Sequence, residues 1–146
     1  MKKSAIEPWM PADEYGRSLR SGLSINLLVR DVGVSTAFLH SVFGMKIVYA
    51  DDDFAVMRTS GSDFMLHADH TYRDHPMTGV ISDAPARGQG AELRLYGIDP
   101  DAAEAAARSA DSVILAGAMD KPHGQREAYI IDPDGYVWVP GIPLPE

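Results

Sequence analysis

At 146 residues the chain has room for one compact domain. Its 45% hydrophobic and 23% charged residues argue against wholesale disorder. A net charge of −8 without any densely basic stretch speaks against nucleic acid and anionic membranes as partners.

Cysteine is absent, which removes disulfides, zinc–thiolate sites and thiol nucleophiles. No apolar run approaches the ~20 residues of a membrane helix. Lys2 and Lys3 lead into no apolar segment, so a cytoplasmic protein is expected. In chain order, residues 1–22 read as a helical extension. Pro11 suits a first helical turn, Asp13 and Glu14 suit its positive end, and Gly22 suits a stop. The reading expects about three turns, docked through Tyr15 and Leu19. Trp9 and Met10 are large for an exposed tail and should cover the main body or a partner subunit.

The body starts with a strand over 24–30. Ser35 is positioned to cap a helix carrying Phe38 and Val42, which Gly44 ends. Strands follow over 45–50, 54–58 and 63–68, with the triple aspartate 51–53 as a turn. Residues 70–90 read as a connection. A strand over 91–96 comes next, then a helix over 101–108 and strands over 113–116, 128–131 and 136–139. Asp132-Pro133-Asp134-Gly135 joins the last two as a tight turn. The order strand–helix–three strands thus occurs twice, over 24–69 and 91–140. The fold class expected is α+β: a single domain of two βαβββ modules forming a half-open barrel around a cleft, with a short N-terminal helical extension.

Asp31, Ser35, Phe38 and Phe43-Gly44-Met45-Lys46, with the closing Asp132-Pro133-Asp134-Gly135-Tyr136 and the preceding Gly124-Gln125-Arg126-Glu127, resemble the motifs of the vicinal oxygen chelate superfamily. That superfamily includes glyoxalase I, the bleomycin-resistance binding proteins and the extradiol dioxygenases. The resemblance covers nearly all of 24–140. It implies a divalent ion held at four positions, which fall here on Ser24, Met65, Glu92 (or Ala91) and Val139. Serine, methionine and valine do not supply the imidazoles and carboxylates such an ion takes. The expectation is therefore no metal and no cofactor.

Strand alternation indicates what lines the cleft. Ser24, Asn26 and Leu28 share a face, as do Met65 and His67, then Glu92, Arg94 and Tyr96, and finally Val137 and Val139. The candidate ligand-binding residues are Asn26, Met65, His67, Glu92, Arg94, Tyr96 and Val139; catalytic residues are not assignable. His67, His70 and His75 leave a displaced metal site open, beside the plainer reading of a cleft-lining His67 bonded to a neighbour and two loop histidines. His123 sits in a loop able to reach the cleft mouth. Two functional readings follow. One is a small-molecule binding protein of the glyoxalase/bleomycin-resistance type, taking cationic or zwitterionic ligands. The other is a lyase, isomerase or dioxygenase using a displaced metal site or metal-free acid–base chemistry. A homodimer is expected, because half-open barrels leave sheet edges exposed.

Overall fold

The computed structural model describes residues 9–81 and 84–146. The first eight residues of the expected extension and positions 82–83 of the expected connection lie outside them. The chain runs α1 (Ala12–Ser18), β1 (Asn26–Val29), α2 (Val32–Phe43), β2 (Lys46–Ala50), β3 (Phe54–Thr59) and β4 (Ser62–Ala68). A 3₁₀ turn (Asp69–Tyr72) and α3 (Thr78–Ile81) follow, then β5 (Leu93–Tyr96), α4 (Pro100–Ser109), β6 (Val113–Asp120), β7 (Gln125–Ile131) and β8 (Val137–Pro143). This is the expected α+β architecture of two βαβββ modules, with no closed barrel. Each module forms a four-stranded sheet, in the orders β1-β4-β3-β2 and β5-β8-β7-β6. The pairs β1–β4 and β5–β8 are parallel, and the other pairs are antiparallel.

Local chemistry explains the helix ends. The Asp31 carboxylate accepts the Val34 amide at 2.9 Å, and Gly44 closes α2 at φ +68°, a left-handed conformation that glycine adopts without a Cβ clash. Asp31, not Ser35, is therefore the cap. Ser35 lies one turn inside α2, buried, with its hydroxyl donating to Asp134 Oδ2 at 3.3 Å. Asp99 caps α4, with Pro100 in its first turn. The N-terminal helix is shorter than expected and ends at Ser18. Leu19 is 49% exposed, so docking runs through Trp9 and Tyr15 instead.

One core joins both modules. Leu39, Phe43, Met45, Phe64 and Leu66 of the first meet Leu95, Ala107, Ile130 and Trp138 of the second. The Trp138 ring stands 5.9 Å from Phe43 and 5.6 Å from Phe64. Burying such rings contributes roughly 25 cal/mol per Å² of apolar surface. Tyr136 donates its hydroxyl to the Leu28 carbonyl at 2.9 Å. Gly88 lies against the same ring, at φ +69°, where a Cβ would come within 2.5 Å of it. Gly88 is thus held close against the second module at Tyr136.

Candidate functional site

On β4, Phe64, Leu66 and Ala68 enter the core, so the alternation turns Met65 and His67 to the opposite face. Asn26 stands level with Met65 on the parallel strand β1. Its amide oxygen lies 2.6 Å from His67 Nδ1, and its Nδ2 donates to the Tyr72 hydroxyl at 2.8 Å. Burial pushes the His67 imidazole below its ordinary pKa, which keeps it neutral at pH 7.

The N-terminal segment covers this face. Trp9 stacks on Tyr49 of β2, with centroids 5.1 Å apart and planes 15° from parallel. Tyr15 of α1 lies 4.7 Å from Trp9, and Phe54 of β3 lies 5.8 Å from it. Between segment and sheet is a cavity of about 680 Å³, walled by these rings with Met65, His67, Asp51 and Asp53. That volume suits a small molecule. The Tyr49 hydroxyl donates to Asp51 at 2.7 Å; burial and this bond push its pKa up to about 12.

The second sheet gathers a polar cluster on the face that does not meet the core. Glu127 of β7 is fully buried and accepts from Arg94, from His123 Nε2 at 2.7 Å and from the Tyr129 hydroxyl at 3.1 Å. Burial pushes the Glu127 carboxyl up, but the hydrogen bonds from His123, Tyr129 and Arg94 outweigh it and hold it below the usual range. Arg94 also donates to Glu92 at 2.8 Å and to Tyr96 at 3.2 Å. These bonds raise its already high pKa.

The structure therefore brings the sequence-derived candidates together in two groups. Asn26 bonds His67, and Met65 and His67 line the cavity beneath the N-terminal helix. Glu92, Tyr96 and Glu127 meet around Arg94, with Arg94 and Tyr96 lining a separate cavity of about 360 Å³. Val139 is buried, level with Arg94 on β8. Sequence reasoning missed Glu127 and the aromatic wall; the signal for Glu127 was a charge two residues before Tyr129 in the quoted Gly124–Glu127 motif.

The three neighbouring histidines engage different partners. His70 meets Asp53 at 2.6 Å, and His75 Nδ1 accepts the Met77 amide at 3.1 Å. Among the described residues no three His, Asp or Glu side chains converge as a metal site. At the implied family positions, Ser24 precedes β1, and the residue level with Met65 is Asn26. Likewise Arg94, not Glu92, stands level with Val139. Of the four implied positions, the Met65 thioether and the Val139 aliphatic chain do not fit a divalent ion, and the Glu92 carboxylate is bonded to Arg94.

The sequence profile of the glyoxalase/bleomycin resistance protein/dioxygenase superfamily matches residues 23–139. The chain belongs to this superfamily. Comparison with curated protein sequences finds no match. Among solved structures, the chain is similar to a protein of unknown function from Agrobacterium tumefaciens. That match has 24% identity and a TM-score of 0.68, covering 86% of this chain and 95% of that one. A glyoxalase/bleomycin resistance protein/dioxygenase family enzyme from Burkholderia phytofirmans is 18% identical with a TM-score of 0.66, covering 83% of this chain and 97% of that one. A lactoylglutathione lyase from Agrobacterium tumefaciens is 20% identical with a TM-score of 0.61, covering 84% and 92%. At these identities the likeness concerns the fold, and function has to be argued from the site.

Proposed function

We propose that this superfamily member is a small-molecule binding protein that works without the family's divalent metal, taking a cationic or zwitterionic ligand into the aromatic cavity beside His67. The observation that carries the reading is the cavity itself, lined by the rings of Trp9, Tyr15, Tyr49 and Phe54 with Asp51 and Asp53 in the same wall. Ring faces attract cations by about 0.5–2 kcal/mol each, and the net charge of −8 has the same sign preference. The edge positions of β2, β5 and β6 in the described sheets, together with exposed Tyr96, Val113 and Leu115, support a homodimer as part of the proposal.

A thermal-shift screen of a mixed library should enrich cations and zwitterions, because a bound ligand stabilises by mass action. For a hit, Trp9→Ala should weaken binding about tenfold, the loss of one stacked ring face. Hits dominated by monoanions, or unchanged affinity in the variant, would sink the reading. A second reading, metal-free acid–base catalysis, is favoured by His123, whose Nε2 is held by the buried Glu127 as a carboxylate holds a general base. Consumption of a hit at a rate that collapses in His123→Gln would turn the proposal toward an enzyme.

The metal-free part has its own test. Untagged protein should show no stoichiometric metal by elemental analysis, and none should bind on titration with nickel, zinc or manganese. Near-stoichiometric metal that is lost in His67→Ala would overturn it.

A further inference from the structure

We infer that Asn26 locks the His67 imidazole in its Nδ1–H tautomer, so that the cavity presents a bare Nε2 which selects ligands carrying an N–H or O–H donor. This rests on reading the cavity as the ligand site, and goes beyond it by naming a positioning residue and the group it makes selective.

The orientation of the Asn26 amide decides where the proton sits. Asn26 Nδ2 donates to the Tyr72 hydroxyl at 2.8 Å, which turns Oδ1 toward His67 Nδ1 at 2.6 Å. An amide oxygen only accepts, so Nδ1 carries the hydrogen. A neutral imidazole has one N–H, which leaves the lone pair on Nε2. Burial favours that neutral form. The ring is held between Phe54 and Tyr72, at centroid distances of 5.0 and 5.5 Å.

Nε2 has no hydrogen-bond partner among the described residues, while His67 lines the cavity beside Met65 and Phe54. Asp51, the buried carboxylate of the same wall, already accepts from the Tyr49 hydroxyl and from the backbone amides of Asp53 and Phe54. Nε2 is thus a neutral acceptor set among rings. A ligand that fills this space without a donor strips water from Nε2 and returns nothing, which is how a polar group in an apolar site discriminates.

The experiment has two independent arms. Long-range ¹⁵N–¹H correlation on histidine-labelled protein at neutral pH, with His67 assigned by its loss in His67→Gln, reads the tautomer without any ligand. The protonated-type shift is expected on Nδ1 and the unprotonated type on Nε2. Asn26→Asp retains an acceptor and should keep this pattern, whereas Asn26→Leu should release it toward Nε2–H. An Nε2–H signal in the wild type, as a reversed Asn26 amide would give, overturns the inference.

The second arm compares two planar cations of the same ring system by fluorescence anisotropy. 9-Aminoacridinium carries N–H donors and 10-methylacridinium carries none. The first should bind about five- to tenfold more tightly, and the preference should vanish in His67→Leu. Equal affinities, or a preference that survives in His67→Leu, overturn the selectivity. Binding of neither cation defeats the functional reading of the cavity, and the tautomer measurement then decides the Asn26 lock by itself.

Discussion

Arg94→Met is expected to lower the unfolding free energy by about 3 kcal/mol, near the lower end for breaking a buried ion pair, because Arg94 is itself 27% exposed. The measurement is the urea midpoint at unchanged slope. Glu127 is fully buried on β7, and Arg94 is its cationic partner. Without the guanidinium, the carboxylate keeps its desolvation cost and loses the cation opposite it, with only the His123 and Tyr129 bonds left in compensation. Adding Glu127→Gln to Arg94→Met should recover much of the loss, since a neutral amide costs less to bury.

The pH dependence of the same pair has a definite sign. Glu127 titrates below its ordinary value in the folded protein. Its stabilisation is therefore complete above the unfolded carboxyl value, about 4.3, and drains away as pH falls through the lower folded value. In Arg94→Met the lowering by Arg94 is lost while the His123 and Tyr129 bonds remain, so the Glu127 pKa should move up toward its unfolded value. The gap between wild type and variant should accordingly hold from pH 7 to about pH 5 and close as pH falls below the unfolded carboxyl value of about 4.3. A gap that is small at pH 7, or constant with pH, would show that Arg94 and Glu127 are not energetically coupled.

The two faces differ in how much of them the sequence discloses. Period-two alternation along 63–68 placed Met65 and His67 on one side, and the structure keeps them there because Phe64 and Leu66 have α2 to cover them. Trp9 was too large for a free tail, and it does cover the main body. That it lands on Tyr49 and Phe54 depends on β2 and β3 presenting both rings on one surface, which no local pattern specifies. Glu127 was hidden for a different reason. The polar run Gln125-Arg126-Glu127 looks like a loop, yet it begins β7 because β8 continues to Pro143 and pairs with it. A charge there reads as surface until Arg94, His123 and Tyr129 are brought around it. The cap of α2 shows the limit at its finest scale. Asp31 and Ser35 are both capping residues by type, and only the path of the chain out of β1 decides between them.

Arg87→Met should cost about 3–5 kcal/mol and should also loosen the candidate site, although Arg87 lies in the connection between the modules. Its side chain is 4% exposed. It donates to both oxygens of Asp69, at 2.7 and 2.6 Å, and to the Leu28 carbonyl at 2.9 Å. Asp134, in the turn before β8, lies 3.9 Å away. One guanidinium therefore ties the end of β4, the middle of β1 and the closing turn of the second module. Asp69 opens the 3₁₀ turn that ends in Tyr72, and Leu28 lies two residues beyond Asn26 on the same strand. Loss of the clamp removes a constraint from both supports of the Tyr72–Asn26–His67 chain. Arg87→Lys keeps the charge but loses the paired geometry, so its loss of stability should fall between wild type and methionine. Hydrogen exchange should accelerate at Asp69–Tyr72 and along β1 in Arg87→Met, beyond the change in β6 and β7. Acceleration spread evenly over both sheets would mean that Arg87 contributes only to global stability and does not organise the site.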